Sequence, residues 1–174
     1  MSDIIYEIQS KIKSKILFDY DMGKSTWFRT GGKAKGFVNV SNLKDLKTIV
    51  SYQDEIKYSI IGVGSNTLVR DSGYDGLIIK LGKNFNKIKI NNNILTAGAA
   101  VLDVNLAKFA LKNLIEGFEF FIGIPGTVGG AVKMNAGCYG SKTSDNLKRV
   151  LVLNCEGKIQ YINSKELNLE YRSS

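Results

Sequence analysis

The glycine-rich passage at residues 123–140 constrains the fold of this chain more than any other segment. It holds six of the 18 glycines and Pro125, the only proline among 174 residues. Small residues let the backbone approach another surface closely, proline stiffens the loop, and Thr127 can cap a short helix whose amide end attracts anions. The passage therefore predicts close backbone contact, either with a flat ligand or, through residues 129–131, with another helix.

A second glycine-rich segment, residues 60–69, follows an apolar run that is typical of a buried strand. Its sequence, Ile-Ile-Gly-Val-Gly-Ser-Asn-Thr-Leu-Val, allows successive amides to converge on phosphate oxygens. An ordinary tight turn also explains this segment when it is taken alone. Two other phosphate motifs are excluded, since a dinucleotide fingerprint requires glycine where Thr67 stands and a P-loop ending at residues 23–25 requires glycine where Phe18 stands.

Hydrophobic spacing predicts an α+β arrangement. The predicted helices follow the stripe Ile4, Ile5, Ile8, Ile12 and Ile16, then Asn42–Tyr52 with Ser41 or Asn42 as its cap, then Val101–Lys112. The predicted strands are Gly36–Val40, Tyr58–Ile61, Gly76–Leu81, Lys87–Ile90, Ile94–Ala97, Lys148–Cys155 and Lys158–Ile162, with a last strand beginning near Leu169. Because the elements lack the regular rhythm of a parallel sheet, we expect two α+β lobes, at residues 1–82 and 83–174.

Composition narrows the chemistry. The chain has no histidine, which removes the commonest general base and metal ligand, and we expect no metal site. Its net charge of +8 comes from scattered lysines, which fits solvated surface charge or a small anion such as pyrophosphate better than nucleic acid. Cys138 and Cys155 form no CxxC pair and fit a reduced cytosolic protein, so we expect them to be buried structural thiols. No stretch approaches the roughly 20 apolar residues of a membrane span, and the N-terminus resembles no signal peptide, so we expect a cytoplasmic protein.

The two glycine-rich motifs, in this order, resemble those of the UDP-N-acetylenolpyruvoylglucosamine reductases. The resemblance extends through residues 26–32 (Thr-Trp-Phe-Arg-Thr-Gly-Gly), 97–99 (Ala-Gly-Ala) and 169–174 (Leu-Glu-Tyr-Arg-Ser-Ser), and so covers the chain from about Ser25. Enzymes of this family use FAD and NADPH to reduce UDP-N-acetylglucosamine enolpyruvate to UDP-N-acetylmuramate for peptidoglycan. The resemblance implies a two-lobed FAD-binding domain of the vanillyl-alcohol-oxidase (PCMH) type, with a third domain supplying much of the substrate site.

By this resemblance, both motifs bind FAD. Residues 62–67 are expected to cradle the pyrophosphate, and residues 124–131 and 135–137 are expected to line the adenosine and isoalloxazine parts. The expected cofactor-binding residues are Gly62, Val63, Gly64, Ser65, Asn66, Thr67, Ile124, Pro125, Gly126, Thr127, Gly130, Ala131, Asn135 and Gly137. With no histidine and no recognisable cysteine attachment motif, we expect the flavin to be bound non-covalently.

The resemblance also implies which residues act on the substrate. In this family the flavin N5 delivers hydride to the enolpyruvyl group, and negative charge develops toward the substrate carboxylate. Arg172 matches the catalytic arginine of the family, because arginine is always protonated and holds a carboxylate through two parallel hydrogen bonds. Tyr139 matches a tyrosine near the substrate. Without the resemblance, Arg172 would be interpreted as an exposed strand residue.

No residue here matches the proton-donating serine or the late glutamate of the family, which lie in its substrate domain. The sequence also stops within a predicted strand, so we expect a fragment, a truncated reading frame or an incompletely recorded longer chain. Such a chain is expected to be a monomer that holds flavin and turns over slowly or not at all. The alternatives are a flavin-binding module without turnover, another FAD oxidoreductase of the same fold, and a basic nucleic-acid binder.

Overall fold

A computed structural model describes residues 2–174 and divides them into two compact units. Unit 1 comprises the described residues up to Asn84 together with Leu153–Lys158. Unit 2 comprises Phe85–Val152 and Ile159–Ser174. Within residues 2–174, no helix is both long enough and apolar enough to cross a membrane.

Unit 1 is built on a mixed four-stranded sheet. Its strands are β1 (Ile16–Asp21), β2 (Lys33–Val40), β3 (Tyr58–Ile61) and β4 (Tyr74–Leu81). They lie in the order β1-β2-β4-β3, with β1 antiparallel to β2 and with both β2 and β3 parallel to β4. Leu77, Ile78 and Ile79 of β4 are buried in succession, as expected of a central strand covered on both faces.

Two helices accompany this sheet, α1 (Ser2–Lys11) and α2 (Leu43–Val50). The prediction of α2 is confirmed with Asn42 as its cap, because the Asn42 side chain accepts a hydrogen bond from the Asp45 amide at 2.8 Å. The single helical stripe predicted from Ile4 to Ile16 is wrong beyond Lys11, since Ile16 begins β1. Isoleucines of a helix and of the following strand share one core, and their spacing concealed the break between the two elements.

Asp45 fixes the turn between α1 and β1. Its carboxylate is buried and accepts hydrogen bonds from the Lys13 amide at 3.1 Å and from the Ser14 amide and hydroxyl at 2.7 Å each. Burial by itself would raise the pKa of Asp45, but these hydrogen bonds outweigh it and lower the pKa below its ordinary value. A contact distant in sequence therefore helps to hold the turn in which the chain leaves α1.

Unit 2 contains three two-stranded pieces. They are β5 (Ile88–Asn91) with β6 (Ile94–Ala97), β7 (Gly137–Cys138) with β8 (Ser141–Lys142), and β9 (Arg149–Leu153) with β10 (Ile159–Asn163). The β5–β6 pair confirms the predicted hairpin at Asn91–Asn93, where Asn92 adopts a φ of 51°. The α-helices of unit 2 are α3 (Asp103–Lys112), α4 (Val128–Lys133) and α5 (Thr143–Asn146).

The core of unit 2 forms between α3 and the two glycine-containing segments that follow it. Its buried members are Val101, Leu106, Ala107, Phe120, Phe121 and Ala131. The last strand predicted near Leu169 is wrong, because residues 170–173 form a tight turn. In this turn the Glu170 amide donates to the Ser173 carbonyl at 3.2 Å and the Ser173 amide donates back at 3.3 Å.

Candidate functional site

In unit 1, residues 62–67 form a turn directly after β3. Gly64 adopts a φ of 71°, and its carbonyl accepts a hydrogen bond from the Trp27 amide at 3.0 Å. A Cβ at Gly64 would collide with the carbonyl oxygen of Ser25. Of the two explanations open for this segment, ligand approach and an ordinary tight turn, the surroundings of Gly64 itself favour the turn, because this glycine makes room for residues 25–27.

Beside this turn lies an open cleft with a volume of about 640 Å³. Its lining residues are Asp21, Gly23, Lys24, Thr26, Arg29, Thr30, Gly31, Gly32 and Asp71. Lys24 and Arg29 contribute positive charge, and two aspartates oppose it. None of residues 62–67 lines the cleft. The residues that do line it were not among the predicted site residues. The sequence feature that could have pointed to the cleft is the glycine pair at residues 31–32. In the structure, Gly31 has a φ of 122°, which favours glycine.

The predicted pyrophosphate-binding side chains are accessible. Asn66 is exposed, and Val63, Ser65 and Thr67 are half-buried. The turn thus combines buried Gly64, which is held by the neighbouring loop, with polar side chains that solvent or a ligand can reach.

In unit 2, Thr127 caps α4 as predicted, because its hydroxyl accepts a hydrogen bond from the Gly130 amide at 3.4 Å. The expectation that the amide end of this helix attracts anions is wrong. The Val128 amide donates to the Val101 carbonyl and the Gly129 amide to the Ala99 carbonyl, each at 2.9 Å. The first amides of α4 are therefore bonded within the protein and are not free for a ligand.

The glycines of this passage face different surroundings. A Cβ at Gly126 would lie 2.5 Å from Asp103 Oδ2, and one at Gly129 would lie 2.9 Å from the Ala99 Cβ. Gly130 is exposed, and a Cβ there would meet only the Thr127 hydroxyl oxygen, at 3.5 Å. Close packing within the protein thus explains Gly126 and Gly129, while Gly130 leaves backbone open to a ligand.

Asp103, the first residue of α3, is fully buried against this loop. Its amide donates to the Gly126 carbonyl at 3.1 Å, but neither carboxyl oxygen has a hydrogen-bond partner among the described residues. Burial raises the pKa of this carboxyl to about 7. Asp103 was not among the predicted site residues, since an aspartate at the start of a helix is an ordinary feature.

Tyr139 projects from the turn between β7 and β8 and is 84% exposed. Its ring lies against Gly123, where a Cβ would be 2.8 Å from ring atom Cε2 and 2.8 Å from the sulfur of Cys138. Gly123 therefore makes room for Tyr139 at the start of the passage that contains Ile124 and Pro125.

Arg172 lies at the tip of the turn at residues 170–173. Its side chain is exposed, and its Nε donates to the hydroxyl of Tyr171 at 3.2 Å. Within the part of the chain that the structure describes, no carboxylate forms an ion pair with it. Its guanidinium is therefore available to an external anion.

Three of the predicted site residues are among the non-glycine residues with a positive φ, as is one residue of the cleft. Asn135, Tyr139 and Arg172 have φ angles of 40°, 53° and 55°, and Arg29 in the cleft has 53°. Non-glycine residues adopt this conformation at a cost of roughly 1–3 kcal/mol, and such residues cluster at functional sites. Within residues 2–174, no group of three or more histidine, cysteine or acidic side chains is placed to hold a metal ion.

Each unit, taken by itself, has residues that fit part of a flavin nucleotide. In unit 2, Gly130 and Tyr139 offer an open backbone surface and an exposed ring to a flat group. In unit 1, residues 65–67 offer polar side chains to phosphate oxygens. Both Ala131 and Gly137 were predicted to contact FAD. Gly137 is exposed and can be reached by a ligand, whereas Ala131 is buried.

Comparison with known proteins agrees with this fit. The chain matches the FAD binding domain family over residues 34–163. It is 44% identical over 172 residues to UDP-N-acetylenolpyruvoylglucosamine reductase of Pelagibacter ubique, which covers 98% of this chain and 57% of that protein. The chain therefore spans little more than half the length of this relative.

Solved structures give the same result. The crystal structure of UDP-N-acetylenolpyruvylglucosamine reductase from Thermus caldophilus matches with a TM-score of 0.77 at 30% identity, over 92% of this chain and 56% of that one. The 6-hydroxy-D-nicotine oxidase of Arthrobacter nicotinovorans shares the fold, with a TM-score of 0.63 at 21% identity. The predicted FAD-binding fold of the vanillyl-alcohol-oxidase type is thus confirmed. The chain belongs to the FAD binding domain family and is a homologue of the UDP-N-acetylenolpyruvoylglucosamine reductases, corresponding to their FAD-binding part.

Proposed function

We propose that this chain is the FAD-binding part of a reductase that uses NADPH to convert UDP-N-acetylglucosamine enolpyruvate to UDP-N-acetylmuramate. The observation that carries this proposal is the placement of Arg172. It is an exposed arginine without an acidic partner among residues 2–174, at the tip of a turn with a positive φ. An unpaired cation held in a strained turn suits the binding of a substrate carboxylate.

The proposed cofactor contacts come from both glycine-rich segments. In unit 1, residues 62–67 bind phosphate oxygens through Ser65, Asn66 and Thr67. In unit 2, the accessible residues of the segment 124–131, together with Gly137, contact the flat parts of FAD, with Gly130 as the closest backbone approach. FAD held by these residues would supply the hydride transfer between NADPH and the enolpyruvyl group.

Arg172 stabilises the charge that develops on the substrate during reduction. Hydride addition to the enolpyruvyl carbon moves electron density toward the carboxylate, and a fixed guanidinium lowers the free energy of that arrangement more than the free energy of the ground state. Tyr139, exposed at the same passage as Gly130, is proposed to contact the substrate. Removal of one such charge stabiliser typically lowers kcat by about 10²–10³-fold.

Hydride addition leaves an enolate on the substrate that must be protonated to give the product, and no residue of this chain matches the proton donor of the family. We propose that the isolated chain binds FAD and turns over slowly, since a missing general acid alone typically lowers the rate by about 10²–10⁴-fold. The relatives are longer than this chain, and their additional part is the proposed source of that donor.

The test measures two quantities. FAD affinity is followed by the quenching of flavin fluorescence, and NADPH oxidation is followed at 1:1 FAD occupancy with and without UDP-N-acetylglucosamine enolpyruvate. A version extended with the C-terminal part of the Pelagibacter ubique relative serves as the comparison. We expect FAD binding in both proteins and substrate-dependent oxidation mainly in the extended one. Absence of FAD binding by the chain would refute the proposal, and equal substrate-dependent rates would refute the role given to the additional part.

A further inference from the structure

Asn135 occupies an unusual position, two residues after the last residue of α4. It is 8% exposed, and its backbone adopts a φ of 40°. Asparagine is among the few non-glycine residues that tolerate the left-handed region, so the backbone here favours asparagine or glycine. Its side-chain amide is thereby directed into the protein.

Both ends of this buried amide are bonded to backbone. The Asn135 Nδ2 donates to the Glu170 carbonyl at 3.2 Å, and its Oδ1 accepts from the Ser144 amide at 3.0 Å. One side chain thus joins the end of α4 to α5 and to the turn that carries Arg172. With 8% of its surface exposed and both polar ends used, little of it remains for a cofactor.

The turn at residues 170–173 has few other restraints. Its two internal hydrogen bonds measure 3.2 and 3.3 Å, near the long end of the normal range. Beyond the turn, Lys133 Nζ donates to the Ser174 carbonyl at 3.1 Å and the Ser174 hydroxyl donates to the Lys133 carbonyl at 3.0 Å, and both bonds are exposed to water. The Asn135–Glu170 bond is also 3.2 Å long, but it is partly buried. Because a hydrogen bond that is less accessible to water is the stronger restraint, it restrains the turn more than these exposed bonds do.

We propose that Asn135 is a positioning residue, which holds the Glu170–Ser173 turn so that the Arg172 guanidinium is presented in one orientation. This replaces the expectation that Asn135 lines the FAD. The inference rests on the proposed function for the role of Arg172 in substrate binding, but the restraint on the turn is a property of the chain itself. The sequence gives no local signal of it, since residues 135 and 170 are far apart along the chain.

The variant Asn135→Asp tests this with minimal change of shape. Aspartate tolerates the positive φ and can still accept from the Ser144 amide, but as a carboxylate it has no proton for the Glu170 carbonyl. The matched control is Asn113→Asp, because Asn113 Nδ2 donates to the Phe109 carbonyl at 2.8 Å at the exposed end of α3. Both variants lose the same kind of bond and gain the same charge.

Backbone order at Arg172 is the first measurement, by ¹⁵N relaxation of the whole chain. We expect an order parameter near 0.8 in the wild type and in Asn113→Asp, and a value below about 0.6 in Asn135→Asp. A mobile turn in the wild type, or equal values in all three proteins, would overturn the proposal. This measurement does not depend on flavin or substrate, so it separates failure of the inference from failure of the proposed function.

The second measurement separates positioning from general support of the fold. On the FAD-loaded chain, binding of UDP-N-acetylglucosamine enolpyruvate is followed through the flavin absorbance in a double-mutant cycle with Arg172→Lys. We expect Asn135→Asp to leave FAD affinity within about twofold, to weaken substrate binding about tenfold, and to have little further effect in the Arg172→Lys background. An equal loss in both backgrounds would show that Asn135 does not act through Arg172, and would overturn the proposal.

Discussion

Replacing Gly130 with alanine is expected to stabilise the fold and weaken FAD binding at once. Gly130 lies inside α4, where alanine is favoured over glycine by about 0.5–1 kcal/mol because less backbone entropy is lost on folding. The new Cβ would meet only the Thr127 hydroxyl oxygen at 3.5 Å, an ordinary contact distance, so no strain offsets this gain. For a domain of this size, each kcal/mol raises Tm by roughly 2–4 °C.

The same methyl group occupies the surface that we propose for the flat part of FAD. A ligand in van der Waals contact with the Gly130 backbone would overlap it, and we expect the dissociation constant of FAD to rise at least tenfold, which corresponds to about 1.4 kcal/mol. The adjacent variant Gly129→Ala is the control, because its Cβ would lie 2.9 Å from the Ala99 Cβ. That contact lies within the protein and is too close, so neighbouring atoms have to move. We expect this to lower the free energy of unfolding by about 1–3 kcal/mol.

Thermal unfolding of the apo proteins and fluorescence titration with FAD provide the two measurements. Opposite shifts in Tm for Gly130→Ala and Gly129→Ala would support the assignment of the two faces of α4. If Gly130→Ala bound FAD as tightly as the wild type, the proposed backbone contact would be wrong. If it were destabilised as much as Gly129→Ala, the open surroundings of Gly130 would be wrong.

Three further predictions concern charge and cofactor chemistry. The pKa of Asp103 is raised to about 7, so the folded state binds more protons than the unfolded state between about pH 4 and pH 7. The free energy of unfolding therefore falls as pH rises through that range, by on the order of 1.4 kcal/mol per unit of the pKa difference. Urea denaturation should therefore find Asp103→Asn more stable than the wild type at pH 8, with the difference shrinking by pH 5. For Asp45, whose pKa is lowered, the stabilisation is present above the unfolded pKa near 3.9 and is lost as pH falls, so Asp45→Asn should cost about 1.5–3 kcal/mol at pH 7 and less at pH 3 in the same assay. Acid precipitation of the FAD-loaded chain should release all flavin to the supernatant, and yellow precipitated polypeptide would contradict non-covalent binding.

Elements with local signals were predictable from the sequence. Strands Tyr58–Ile61 and Ile94–Ala97 have the predicted bounds, and α2 begins after Asn42 as its capping chemistry indicates. In each case the residues that determine the element lie within it or beside it. The cap of α4 by Thr127 belongs to the same class.

The remaining features depend on contacts between distant residues. The turn that follows α1 is held in part by Asp45, which lies outside residues 2–16. Apolar and aromatic residues around positions 170–173 favour a strand. The chain forms a turn there instead, and the Asn135 side chain donates a hydrogen bond to the Glu170 carbonyl of that turn. Candidate site residues carried by glycine motifs were recognisable, but whether a given glycine faces a ligand or the protein required the structure, as the contrast between Gly129 and Gly130 shows.

The bonded amides at the start of α4 limit what this surface can discriminate. The amides of Val128 and Gly129 donate to backbone carbonyls at residues 99–101, and the Gly130 amide donates to the Thr127 hydroxyl. This end of the helix therefore offers a ligand a surface for packing, and these three amides are not free to donate to it. Such a surface selects a partner by thickness and planarity alone. Flavin analogues that keep a flat ring but exchange ring nitrogen for carbon should therefore be accepted here as readily as the natural ring, and preference for one cofactor over another has to arise at other contacts.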